Sequence, residues 1–166
     1  DISLADAQDI RINVLGYAEK PGTYSVSPFS KIAEVITKVA VPDQKGSICD
    51  IKLIREGKEI STFNAYDYLY KADQSKNLRL YHGDTIFIPG LKNLIAIKGN
   101  ITNPGLYEIT DTEALSKIID RAGGVTSTRF KTKALILRFD LKTSSLITYK
   151  ELIFEPAKGI DSKDDV

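Results

Sequence analysis

The chain carries one pattern twice, at a constant offset of 83 residues. Ile12-Asn13-Val14-Leu15-Gly16 runs into Pro21-Gly22-Thr23-Tyr24, and Ile95-Ala96-Ile97-Lys98-Gly99 runs into Pro104-Gly105-Leu106-Tyr107. The same offset carries Val26 to Ile109, Ser27 to Thr110, Ile32 to Leu115, Val35 to Ile118, Ile36 to Ile119 and Val39 to Ala122, without a gap. Solenoid repeats are roughly 20–50 residues long, so this longer offset predicts two small domains. A domain of about 60 residues buries only about 60% of its unfolded surface. Each copy is therefore expected to lean on the other or on further subunits. A module used in tandem also suits binding or assembly better than catalysis.

Within each copy the periodicity changes in a fixed order. Ile12, Val14 and Gly16 alternate with Asn13 and Leu15, a strand pattern, and Tyr24 and Val26 continue it after the turn at Pro21-Gly22. Ser27 is the expected helix N-cap, with Pro28 at the first helical position. Ile32, Val35, Ile36 and Val39 then form the apolar stripe of a half-buried helix, which Pro42 ends. In the second copy Thr110 and Glu113 form a capping box in which Asp111 also serves the cap, and Gly123-Gly124 stops the helix where the first copy has Ala40-Val41. A second strand pair follows: 51–55 with 59–63, and 134–139 with 146–149. Short helical or irregular segments are expected near Ala65–Leu69 and Lys150–Phe154. The first copy closes with strand, tight turn and strand from Leu78 to Pro89, turning at Gly83-Asp84. The second copy has no such closing segment. The reading is an α+β chain of two β-grasp units, each a mixed sheet with one helix packed across it. Residues 1–10 are a polar lead-in, 11–90 the first unit, 91–156 the second with its closing strand missing or truncated, and 157–166 a polar tail.

Composition narrows the function further. The formal net charge is +1, from 23 basic and 22 acidic residues, with no long run of one sign, so charge gives no indication of nucleic acid or an anionic membrane. The single cysteine, Cys49, excludes an internal disulfide and reads as a small apolar filler. Cys49 and the single histidine, His82, do not make a zinc site. No apolar run approaches the roughly 20 residues that cross a bilayer, and no signal peptide is visible. The chain starts at Asp1 and contains no Met, as expected of a piece of a longer protein.

No catalytic constellation is found, and no cofactor or metal is expected. His82 and Asp84 could pair as base and orienter, but no nucleophile stands at a recognised spacing from them. Gly123-Gly124 follows a helix, whereas a phosphate cradle precedes one. The candidate ligand contacts are Tyr24 and Tyr107, either packed beside their turns or offered as platforms for a sugar ring. Tyr66, Tyr68, Tyr70 and Tyr81 cluster in the part peculiar to the first copy and suit an interface. Gly16, Pro21, Gly22, Gly83, Asp84, Gly99, Pro104, Gly105, Gly123 and Gly124 are read as turn and cap positions.

These elements resemble the SLBB domain (soluble-ligand-binding β-grasp). The resemblance rests on Val14-Leu15-Gly16 and Ile97-Lys98-Gly99, the two Pro-Gly-x-Tyr corners, Ala122-Gly123-Gly124 and the closing Gly83-Asp84-Thr85-Ile86-Phe87-Ile88-Pro89, and covers about residues 11–153. Tandem SLBB domains are typical of bacterial outer-membrane polysaccharide export proteins, in which they stack as periplasmic rings. The resemblance thus implies a non-catalytic periplasmic segment of a capsule or exopolysaccharide exporter, at the periplasmic face of the outer membrane. It implies a homo-oligomeric ring as the assembly. The implied partners are the exported polysaccharide and an inner-membrane polysaccharide co-polymerase. The alternative it leaves is a soluble-ligand module for a glycan or a cobalamin-like molecule; a domain serving a redox complex has no cofactor motif behind it.

Overall fold

Alternation of apolar and polar side chains becomes a sheet at the start of the chain. In the computed structural model, which describes residues 8–110, 113–126, 132–140 and 145–154, β1 (Ile10–Gly16) pairs antiparallel with β2 (Gly22–Val26), setting Ile12 opposite Tyr24 and Val14 opposite Gly22. Ile12 and Val14 are fully buried, while Arg11 and Leu15 on either side of them face solvent. Gly16 ends the strand at φ +86°, and a Cβ there would lie 2.1 Å from the Ile88 carbonyl oxygen. Both the left-handed backbone and the close approach require glycine.

The chain divides into two compact units, 1–91 and 92–166. In the first, β3 (Ile51–Arg55) and β4 (Lys58–Phe63) form a second hairpin, and β5 (Thr85–Ile88) inserts between β1 and β3. The strand order is β2-β1-β5-β3-β4, with β5 parallel to β1 and antiparallel to β3. This sheet is mixed, as expected. Helix α1 (Ile32–Lys38) supplies Ile32, Ala33, Val35 and Ile36 to a core shared with Ile12, Val14, Ile51, Leu53, Phe63, Leu80, Ile86 and Ile88. A second helix, α2 (Ala65–Lys71), is capped by Asn64, whose side chain accepts from the Tyr66 and Asp67 amides. Cys49 is buried, in keeping with a filler role.

Two local expectations for the first unit fail. Ser27 does not cap α1: the helix begins at Ile32, and Ser27 to Ser30 form a separate turn closed by the Ser30 amide on the Ser27 carbonyl. The first helical amides are capped from far along the chain instead, Ile32 by the Leu78 carbonyl at 3.0 Å and Ala33 by the buried Asn77 side chain at 3.0 Å. For the same reason Leu78–His82 is not a strand beside β5. The Leu80 amide bonds to Ser30 and Arg79 bridges Lys31, so this segment is spent on the entry to α1.

In the second unit β6 (Leu94–Gly99), β7 (Gly105–Glu108), β8 (Thr132–Asp140) and β9 (Ser145–Phe154) form a sheet in the order β7-β6-β8-β9. All its pairings are antiparallel among the described residues, whereas a mixed sheet was expected. With no counterpart of β5 between them, β6 and β8 bond directly, Ile97 opposite Ile136. Lys150–Phe154 is strand and not helix, because β9 pairs with β8 along its whole length, Thr132 opposite Phe154 to Asp140 opposite Ser145. Cross-strand partners outweigh the local preference of Lys and Glu. Helix α3 (Leu115–Arg121) buries Ile118 and Ile119, and Ala122 just beyond it is buried too. Its N-cap position is Ala114, and the expected capping box is absent: the Glu113 amide closes a turn on Thr110, and the Glu113 carboxylate pairs with Arg121. Gly123 and Gly124 stop α3 at φ +80° and +73°, with the Gly124 amide reaching back to the Ile119 carbonyl. Asp111, residues 1–7 of the lead-in and the 157–166 tail lie outside the described residues.

Candidate functional site

The Pro-Gly corners recur as hydrogen bonds, atom for atom. The Tyr24 hydroxyl donates to the Lys20 carbonyl at 2.6 Å, and the Tyr107 hydroxyl to the Asn103 carbonyl at 2.7 Å. The Glu19 amide bonds to Val41 and the Thr102 amide to Gly124; the Asp43 amide bonds to Tyr17 and the Thr126 amide to Asn100. Every one of these pairs is related by the 83-residue offset, as are α1 and α3 themselves. Gly16 and Gly99 both hold a positive φ. Each tyrosine ring lies over its own corner glycine: a Cβ on Gly22 would meet Tyr24 at 3.8 Å, and one on Gly105 would meet Tyr107 at 3.7 Å. Pro21 and Pro104 sit one residue before these glycines, in the connections of the two hairpins. Tyr107 is 8% exposed and Tyr24 half-buried. Both rings therefore brace the turn, and Tyr107 has little face left for a sugar.

The first unit builds a different site at the start of β5. The register sets Ile54 opposite Thr85, which brings Arg55 alongside Asp84. Asp84 is fully buried, and its carboxylate accepts from Arg55 Nε at 2.8 Å, from Arg55 Nη2 at 2.8 Å and from the Tyr81 amide at 2.8 Å. The hydrogen bond to Asp84 raises the already high pKa of Arg55. Such a fork is a geometry that arginine makes and lysine does not. The guanidinium also lies 4.3 Å from the centre of the Tyr81 ring. Beside it opens a cleft of about 400 Å³ lined by Arg55, Glu56, Tyr81, His82 and Gly83, the last at φ +85°.

His82 and Asp84 do not form a dyad. Asp84 is committed to Arg55 and Tyr81, while His82 Nδ1 accepts from the Arg11 amide at 3.3 Å. No group of three metal-binding side chains occurs among the described residues. The tyrosines of the first unit also separate. Tyr68 packs on the core beside Phe63, Tyr66 stacks on Tyr70 at 6.1 Å on α2, and Tyr81 stands at the cleft. Arg55, Arg79 and Phe29 had no sequence signal, because their juxtaposition depends on strand order.

Comparison with known proteins bears on this geometry at one segment. Residues 94–140 match the SLBB domain model. The match begins at the first residue of β6 and ends at the last of β8. Two curated Escherichia coli proteins, each named polysialic acid transport protein KpsD, are 29% identical to this chain over 120 residues. The alignment takes in 69% of this chain and 21% of each relative, so the chain spans about one fifth of their length. The name of these relatives describes transport, and the SLBB match adds a family likeness over 94–140. Among the described residues no helix is long and apolar enough to cross a membrane, which leaves β-barrels untouched.

Proposed function

We propose that this chain is a tandem SLBB segment of a bacterial polysaccharide exporter, non-catalytic, periplasmic and attached to an outer-membrane assembly. The observation that carries the reading is the reach of the likeness to KpsD. Its 69% of the chain is longer than either compact unit, so it extends into both. The hydrogen bonds repeated at an offset of 83 residues support a duplicated module. In this reading the first unit is the complete copy, and the second closes β6 directly on β8.

The units serve as wall segments of a homo-oligomeric ring, with the exported polysaccharide passing it and an inner-membrane co-polymerase delivering the chain. Head-to-tail contacts close such a ring. Deleting the gene in its own organism tests the reading. Loss of surface polysaccharide, with polymer retained inside the cell, is expected; an unchanged surface coat refutes it. Sedimentation of the full-length protein tests the ring, and a monomer at all concentrations removes that part.

A further inference from the structure

Next to the Arg55–Asp84 pair the surface alternates rings and cations. Phe29 is 67% exposed and Tyr81 53% exposed. The Arg79 guanidinium lies between them, 4.9 Å from the Phe29 centroid and 6.0 Å from that of Tyr81, and Arg55 covers Tyr81 at 4.3 Å. Neither cation is loosely held. Arg79 Nε donates to the Pro28 carbonyl at 2.6 Å, and Arg55 is clamped by Asp84. Arg79 makes no ion pair among the described residues, and its backbone bridge partner Lys31 adds a second exposed cation. Glu56 lines the cleft with Arg55 and Tyr81 and opposes an anion there, which favours Arg79 as the anion seat.

We propose that Phe29, Arg79, Tyr81 and Arg55 form a binding stripe for an acidic polysaccharide. The carboxylate of a sugar residue pairs with the open edge of Arg79, and the C–H faces of neighbouring sugars cover the Phe29 and Tyr81 rings. Guanidinium and carboxylate match in charge and in planar geometry. Large exposed rings lose little conformational freedom when a flat ligand covers them. The inference rests on the exporter reading for its ligand class and on the stripe for its location. On a chain of net charge +1, cations gathered around exposed rings supply the local complementarity that overall charge does not.

The test titrates the 166-residue chain with oligosialic acid and with a neutral dextran oligomer of equal length, by calorimetry and by NMR of the tyrosine and phenylalanine rings. Oligosialic acid is expected to bind, more weakly in high salt, and to shift the Phe29 and Tyr81 signals; dextran is expected to bind less tightly. Arg79→Gln should weaken oligosialic acid about tenfold, on the scale of a charge-assisted hydrogen bond. The control Lys71→Gln, which removes an exposed charge on α2, should have no such effect. Phe29→Ala gives a second probe should Arg79→Gln disturb folding. Equal affinity in Arg79→Gln, Phe29→Ala and the control overturns the stripe and leaves the exporter reading intact, since the chain still binds the glycan. Binding of neither oligosaccharide also overturns the stripe, and the gene deletion then judges the exporter reading alone. Self-association that disappears in Arg79→Gln assigns the stripe to a second copy of the chain and overturns the glycan site.

Discussion

Asp84 is expected to tolerate loss of its own charge better than loss of its partner. Its carboxylate is fully buried, while the Arg55 side chain retains 31% of its exposure. Arg55→Leu removes two of the three hydrogen bonds to Asp84 and leaves a buried anion with the Tyr81 amide alone. Stranding one partner of a buried pair costs about 3–5 kcal/mol; the part-exposed arginine puts this case near the lower end, about 3 kcal/mol. Asp84→Asn removes the charge instead. The guanidinium can then turn to water, and the amide oxygen can still accept from Tyr81, so a cost of about 1–2 kcal/mol is expected. In the double variant the stranded charge is gone, and its loss should fall below the sum of the two by at least about 1 kcal/mol. Urea unfolding measures the three losses, and amide exchange at Leu53 and Ile86 assigns them to the first unit. Strict additivity would show that the pair is not coupled, and equal single-variant costs would refute the expected asymmetry.

Three further outcomes follow from particular contacts. Tyr107→Phe should cost about 1 kcal/mol by stripping the part-buried hydroxyl bond to Asn103, and Tyr24→Phe less, because its corner is more exposed; thermal melts compare them. Asn77→Ala uncovers the Ala33 amide at the start of α1 and should destabilise the first unit by about 1–2 kcal/mol, with faster exchange of the first turn of α1 as the signature. The Lys52 hydrogen bond holds the Glu59 carboxyl below its ordinary value. Its contribution is then complete above the unfolded carboxyl's pKa and lost as pH falls through the lower folded one, so Glu59→Gln should flatten the acid limb of stability against pH. An unchanged acid limb counts against the pair.

The sequence determined what local periodicity and turn chemistry can specify. Strands at Ile12–Val14 and Ile95–Ile97, the Pro-Gly corners, the stripes of α1 and α3 and the glycine stop at Gly123-Gly124 were all legible, because each depends on residues a few positions apart. The α+β class followed from their order. What pairs across the chain was not legible. Asn77 caps a helix 44 residues away, Lys150–Phe154 becomes strand only because β8 lies beside it, and Ser27 loses the cap that its neighbours promised. The candidate site is of this second kind. Gly83-Asp84 could be read as a turn, but only the insertion of β5 next to β3 buries the aspartate against Arg55 and leaves Tyr81, Arg79 and Phe29 aligned outside. Local preferences are fixed by the residues themselves, whereas a buried charge finds its partner only once strand order has set the two side by side.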